Sequence, residues 1–120
     1  MTDIEQEAEQ WFESGIPERY KYDQWKDISA PLMIYQGYIE EGASWINYPE
    51  QIVLRAFYPP PELEGFVPDE VNIYYYNSDV VIVTVMILSP SRVSERRFDM
   101  VRVDNVWKIV WVGERSINVQ

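Results

Sequence analysis

The sequence contains neither cysteine nor histidine. Without cysteine the chain has no disulfide, no thiolate nucleophile and no zinc site built from thiolates. Without histidine it lacks the commonest general base and the commonest metal ligand, which excludes Ser-His-Asp and Cys-His arrangements. We therefore expect no metal and no cofactor, and any catalysis would have to use carboxylates, tyrosine, lysine or arginine.

Long apolar segments are missing as well. No run reaches the roughly 20 apolar residues that a membrane-spanning helix needs, and the acidic start, Met1 to Glu5, is unlike a secretory signal. We expect a soluble, cytoplasmic protein with no membrane partner. A chain of 120 residues is long enough for one domain, which we place at 1–120.

Charge is distributed unevenly between the two halves. Residues 1–70 hold four Lys and Arg against fifteen carboxylates, a net charge of −11, whereas residues 71–120 hold six against five, a net charge of +1. An acidic shell repels a phosphate backbone, so we expect no nucleic-acid partner. The acidic half is either a solvated surface or a face that docks on a basic partner.

The last fifty residues have the pattern of a four-stranded antiparallel meander. Four segments rich in β-branched and aromatic residues predict strands at 71–76, 79–88, 93–103 and 106–113. Asn77-Ser78 and Asp104-Asn105 fit two-residue hairpin turns, because Asn and Asp tolerate positive φ. Ser89-Pro90-Ser91 fits a longer loop.

The first half is expected to be mainly helical. Thr2 and Glu5 form a capping box ahead of an apolar stripe that includes Trp11, which predicts an amphipathic first helix. A second short helix is predicted at 22–29 and a strand at 32–39. A third helix is predicted to begin at Pro49 and to end before Pro59.

This order of elements, together with two segments, resembles a known family. Ile52 to Tyr58, and Phe98 to Ile109 with its Trp107-Lys108-Ile109 ending, are similar to the third helix and the last two strands of the nuclear transport factor 2-like (ketosteroid isomerase-like) superfamily. The resemblance implies an α+β fold in which N-terminal helices pack in the concave face of a curved antiparallel sheet, a cone-shaped architecture with an internal pocket. This fold hosts isomerases, dehydratases, immunity proteins and assembly domains, so the resemblance leaves function open.

The resemblance also implies a set of catalytic candidates. In the isomerases of this superfamily one carboxylate removes a proton, while a protonated Asp and a Tyr donate hydrogen bonds to the enolate oxygen. Asp99 is similar in position to that Asp, and Glu40 or Glu41 lies roughly where the base would be. Such a site needs an apolar pocket that keeps one carboxyl protonated. Alternatively, Arg97 or Arg102 pairs with Asp99 in a structural salt bridge, and this is the outcome we favour.

A cationic and aromatic set is the second candidate site. Guanidinium groups bind carboxylates and phosphates through two parallel hydrogen bonds, and aromatic rings line ligand pockets. The same residues are otherwise explained as core mass and as exposed cross-strand ion pairs. The predicted pocket comprises Tyr35, Tyr38, Tyr74, Tyr76, Arg97, Arg102 and Arg115.

Both faces of the predicted meander are apolar, which bears on assembly. Helices cover one face, so the other is covered either by a partner or by loops of the chain itself. The interface candidates are Val83, Val85, Trp107 and Trp111. We therefore expect a non-catalytic binding or assembly module that binds through its sheet, either as a homodimer or with a protein partner, and that has room for a small apolar ligand. The alternatives are an isomerase or dehydratase acting on a small apolar carbonyl compound, and an acidic inhibitor or immunity-type protein.

Overall fold

The computed structural model describes residues 6, 10–11, 22–28, 48–58 and 68–118 of the chain. We number the elements in chain order as β1 (Lys26–Asp27), α1 (Pro49–Phe57), β2 (Glu70–Asn77), β3 (Val80–Ser89), β4 (Arg92–Val103) and β5 (Val106–Asn118). A 3₁₀ turn at Tyr22–Gln24 precedes β1, and Gln6, Gln10 and Trp11 are helical. Among these residues, no helix has the length and apolar character needed to cross a membrane.

The strands form one sheet in the order β1-β5-β4-β3-β2, with every neighbouring pair antiparallel. The four-strand meander predicted from the last fifty residues is therefore confirmed. Asp104 and Asn105 have φ values of 53° and 63°, as the predicted two-residue turn requires. The first hairpin turn lies one residue later than predicted, at Ser78-Asp79, and Pro90-Ser91 alone joins β3 to β4.

The predicted fold class is wrong. The described residues are mostly strand, with five strands and α1 as the one helix whose bounds they define, rather than several N-terminal helices packed in a curved sheet. One cause is that a segment of the first half pairs with the middle of β5, at Gly113 and Glu114. That segment is β1, which lies within the helix that the sequence predicts at 22–29.

The predicted helix at 22–29 is replaced by the 3₁₀ turn and β1. Lys26 and Asp27 lie opposite Glu114 and Gly113, and the amide of Ile28 donates to the carbonyl oxygen of Val112 at 3.0 Å. These backbone bonds to the edge of β5 replace the hydrogen bonds that a helix would have made within the segment. The third predicted helix is confirmed as α1, whereas the strand at 32–39 and most of the first helix lie outside the described residues.

The sheet has two faces, which we name by what lies on them. The helix face carries α1, and its buried core includes Val53, Val83, Phe98 and Val112. The ion-pair face carries a second cluster that includes Trp25, Val80, Ile82 and Val101, together with the buried charges of Arg97 and Asp99. Side chains alternate between the two faces along each strand, and each face carries a buried cluster at the centre of the sheet.

Candidate functional site

Arg97 and Asp99 form a buried ion pair at the centre of the ion-pair face. They lie two residues apart on β4, so their side chains emerge on the same face. Nε of Arg97 donates to Oδ1 of Asp99 at 2.6 Å and Nη2 donates to Oδ2 at 3.0 Å. Both side chains are fully buried. This is the two-point geometry that fits a guanidinium to a carboxylate.

Trp111 covers this ion pair, and a glycine makes room for its ring. The Cζ atom of Arg97 lies 5.4 Å from the centre of the Trp111 ring, within the range of a cation–π contact. Gly113 lies opposite Arg97 on β5, and a Cβ atom at position 113 would collide with the Trp111 ring. The absence of a side chain at this position therefore allows the indole to lie over the guanidinium.

The geometry of Asp99 is that of a hydrogen-bond acceptor. Both of its carboxylate oxygens receive N–H groups from Arg97, and the positive charge of that partner stabilises the ionised form. An oxyanion site of the isomerase type requires a protonated carboxyl that donates. The salt bridge that we favoured from the sequence is thus present, and this arrangement does not favour the catalytic role implied by the family resemblance.

The other two arginines of the predicted pocket are bound within the chain at separate places. Nε of Arg102 donates to Oδ1 of Asp79 at 2.8 Å, and Arg102 lies opposite Trp107, with its Cζ atom 5.4 Å from the indole centre. Because Trp107 belongs to the helix-face core, Arg102 lies on the opposite side of the sheet from Arg97. The structure therefore does not bring these two guanidinium groups together.

Arg115 fastens the end of the ion-pair face to the segment before β1. It contacts Glu95 at 2.7 Å through Nε and Nη2, and its Nη1 donates to the side-chain oxygen of Gln24 at 3.2 Å. Its Cζ atom lies 4.5 Å from the centre of the Trp25 ring. Through these contacts Arg115 has a structural role: it holds Trp25 against the sheet.

The predicted aromatic residues and bases are placed as follows. Tyr74 packs against the ion-pair face cluster, and Tyr76 stacks on Trp11 with ring centres 5.0 Å apart. The remaining predicted members of the catalytic set and pocket lie outside the described residues; they are Tyr35, Tyr38, Glu40 and Glu41.

The predicted interface residues are located mainly inside the chain. Val83, Val85 and Trp107 are buried in the helix-face core with α1, so the monomer itself covers them. Trp111 is half-buried on the other face, above Arg97. Within the described part of the chain, the centre of the sheet is therefore covered and its margins are more exposed.

One such margin is the outer edge of β2, and the hydrogen-bond register tells which backbone groups face it. The amide of Arg102 donates to the carbonyl oxygen of Asp79 at 2.7 Å, one step beyond the pair of Val80 and Val101. Bonded and non-bonded pairs alternate along an antiparallel ladder. The even-numbered residues of β3 therefore direct their amides and carbonyls away from β4 and toward β2.

This alternation continues into β2. Asn72 and Tyr74 lie opposite even-numbered residues of β3, so their backbone groups bond inward. The backbone groups of Val71, Ile73 and Tyr75 consequently point outward, where the described part of the chain contributes no further strand. Each such residue offers one donor and one acceptor to a partner.

Aromatic side chains flank this open edge. Tyr75 is 64% exposed and Tyr76 is 47% exposed, although most tyrosine rings bury part of their apolar surface. Sequence reasoning singled out Tyr74 and Tyr76 as pocket residues and missed the edge. The three consecutive tyrosines were the available signal, but hydrophobic periodicity does not tell which strands become neighbours.

A second buried polar group lies on the helix face. Burial raises the pKa of Tyr58, while the nearby Arg96 opposes this shift through its charge and a hydrogen bond, and Glu114 adds a smaller upward effect. Arg96 and Glu114 lie opposite each other and are 3.7 Å apart. Tyr58 itself belongs to the helix-face core.

In the part of the chain that the structure describes, no group of three or more acidic residues is arranged so that it could hold a metal ion. Comparison with known proteins adds no family, since no family model, curated protein or solved structure matches this chain. The geometry of the sheet itself is therefore the guide to function.

Proposed function

We propose that this chain is a non-catalytic protein-binding module that engages its partner through the open edge of β2. The observation that carries the proposal is the outward row of backbone groups on Val71, Ile73 and Tyr75, which follows from the register of the β3–β4 and β2–β3 pairs. An extended segment of a partner can add to such an edge as a further strand, with main-chain hydrogen bonds giving affinity.

The edge has the length and side chains that strand addition uses. β2 has eight residues, long enough for three outward donor and acceptor sets. Tyr75 and Tyr76 expose ring surface beside them, and tyrosine is enriched at protein interfaces because its ring buries a large area with little loss of entropy. Glu70 is the one charged residue on the strand, so lysine, which commonly blocks pairing at natural edges, is absent from it.

The pairing of the arginines with carboxylates supports a binding role rather than a catalytic one. Arg97 and Asp99 satisfy each other in a fully buried pair, and Arg102 and Arg115 have carboxylate partners of their own. Arginine and carboxylate groups that are bonded to each other in this way are poorly placed to act on a substrate. The geometry therefore favours the module over the isomerase.

Amide hydrogen exchange tests the proposal in two stages. In the free protein the amides of Ile73 and Tyr75 should exchange much faster than those of Asn72 and Tyr74, because only the latter bond to β3. Peptides selected from a random display library should then slow exchange at the outward amides. Equal protection of all four amides in the free protein, or selected peptides that protect another surface, would contradict the proposal.

A variant provides the matched control for this selection. Tyr75→Lys places a charge on an exposed side chain at the edge, the device by which natural edges resist pairing. Since Tyr75 is 64% exposed, the variant should fold as the wild type does. Library enrichment should be lost with it, and enrichment that persists would show that β2 is not the binding edge.

A further inference from the structure

The charge around the edge of β2 indicates what kind of strand it accepts. From Pro68 to Asp79 the chain contains three carboxylates and no Lys or Arg; Asp79 is paired with Arg102, which leaves Asp69 and Glu70 as the negative charges beside the edge. Asp69 and Glu70 are exposed at the start of β2, where Glu70 receives a hydrogen bond from the side-chain amide of Asn72 at 3.0 Å. An added strand would thus lie beside a negative margin.

Four arginines of β4 and β5 are already paired with carboxylates of the chain itself. Arg96, Arg97, Arg102 and Arg115 have carboxylate partners at 3.7, 2.6, 2.8 and 2.7 Å respectively. These four belong to the six Lys and Arg of residues 71–120. The other two, Arg92 and Lys108, are far fewer than the eleven surplus negative charges of residues 1–70, so the acidic surplus favours a basic partner.

The two faces of the sheet give an added strand two different sets of neighbours. On the helix face its side chains would lie next to Val71, Ile73 and Tyr75, whose β3 partners are valines. On the ion-pair face they would lie next to Glu70 and Asn72 at one end and Tyr74 and Tyr76 at the other. Because successive side chains of a strand alternate between faces, the first set selects apolar residues and the second selects cations.

Exposed tyrosine rings add to the preference for arginine. A guanidinium stacks on an aromatic face more readily than an ammonium group does. Within the part of the chain that the structure describes, Arg97, Arg102 and Arg115 lie over tryptophan rings at 5.4, 5.4 and 4.5 Å. One face of the Tyr76 ring stacks on Trp11, but the residue is still 47% exposed and offers the rest of its ring as the same kind of surface.

We propose that the partner of β2 is an extended segment in which arginine alternates with apolar residues. This inference rests on the proposed function and adds to it the chemistry of the partner. The apolar residues of the segment lie on the helix face, and its arginines lie on the ion-pair face near Glu70 and Tyr76. The backbone of the segment bonds to Val71, Ile73 and Tyr75.

Three synthetic peptides of eight residues, matched to β2 in length, test the inference by fluorescence anisotropy. Valine alternates with arginine in the first, with glutamine in the second and with glutamate in the third, and all have blocked ends. The arginine peptide should bind at least about tenfold more tightly than the glutamine peptide, and the glutamate peptide should bind most weakly.

Two variants separate this inference from the function on which it rests. Glu70→Gln should reduce the advantage of the arginine peptide several-fold while leaving binding of the glutamine peptide unchanged, and Tyr75→Lys should weaken both. If the glutamine peptide binds wild type as tightly as the arginine peptide, the charge inference is overturned and strand addition stands. If neither peptide binds, or if binding is unaffected by Tyr75→Lys, the proposed function fails together with it.

Discussion

At the scale of single residues, the ion pair of Arg97 and Asp99 is the feature that most restricts function. Two charges fully removed from water lose several kcal/mol of hydration each, and only close, two-point hydrogen bonding compensates this loss. The distances of 2.6 and 3.0 Å provide such bonding. The charges of Arg97 and Asp99 neutralise each other, so removing either partner leaves a buried charge without compensation.

We therefore predict a large loss of stability for Asp99→Asn. The free energy of unfolding should fall by about 3–5 kcal/mol, the usual cost of leaving one charge of a buried pair uncompensated. Asp79→Asn is the matched control, because Asp79 contacts Arg102 at a similar 2.8 Å but is partly exposed; it should cost less than about 1 kcal/mol. Urea unfolding measures both, and equal losses would contradict the structural role of the buried pair.

Tyr58 provides a pH-dependent prediction at the same scale. Burial raises the pKa of its hydroxyl above the ordinary value of 10.0, so the folded state retains this proton at pH values where the unfolded state has lost it. The resulting stability is fully present below pH 10 and is lost as pH rises through the folded-state pKa. Tyr58→Phe should remove this component.

Urea unfolding of both proteins between about pH 8 and pH 11 measures the effect. The remaining tyrosines titrate in both proteins, so the quantity to follow is the difference in unfolding free energy between wild type and Tyr58→Phe. That difference should shift in favour of the variant as the solution becomes more alkaline. A difference that stays constant over this range would contradict a raised pKa.

At the scale of elements, those that form through local sequence signals could be predicted, and those that form through long-range pairing could not. The four meander strands and α1 could be predicted because β-branched runs, turn residues and Pro49 act locally. β1 could not, because Lys26 and Asp27 have little strand propensity and are held by pairing with Glu114 and Gly113. The conformation of β1 is therefore determined by its pairing with β5 in the folded structure and not by its own sequence.

The same distinction explains the candidate site. The pairing of Arg97 with Asp99 could be anticipated because residues two apart on a strand share a face. The edge of β2, beside which the described residues place no further strand, could not be predicted, because the sequence of a strand does not tell which strands will lie next to it. Likewise, the family resemblance used short apolar segments that many sheets share, and it led to the wrong fold class.

The β4–β5 hairpin gives a prediction for an element. Asn105 has a φ of 63°, a conformation that costs a residue with a β-carbon about 1 kcal/mol and costs glycine almost nothing. Asn105→Ala should lower the free energy of unfolding by about 1 kcal/mol, whereas Asn105→Gly should leave it unchanged or raise it slightly. Urea unfolding distinguishes the two, and equal effects would mean that the turn does not keep this geometry in solution.

At the scale of the whole molecule, net charge determines which partners can approach. The chain has a net charge of −10, so a second copy is repelled at long range while a basic segment is attracted. Homodimerisation through the sheet, which the sequence led us to expect, would have to overcome that repulsion. Val83 and Val85 are buried within the chain, so these two residues do not provide apolar contact area that would compensate for it.

Salt should consequently act with opposite sign on two associations of this protein. The screening length falls from about 30 Å at 0.01 M to about 3 Å at 1 M ionic strength, which removes attraction to the arginine peptide and repulsion between copies alike. Between about 0.02 and 0.5 M NaCl, affinity for the arginine peptide should fall at least about tenfold. Sedimentation velocity should find a monomer at low salt and, if anything, more self-association at high salt. A dimer that is most stable at low salt would contradict electrostatic repulsion between copies. If the affinity for the arginine peptide does not change with salt, backbone pairing would account for the whole interaction.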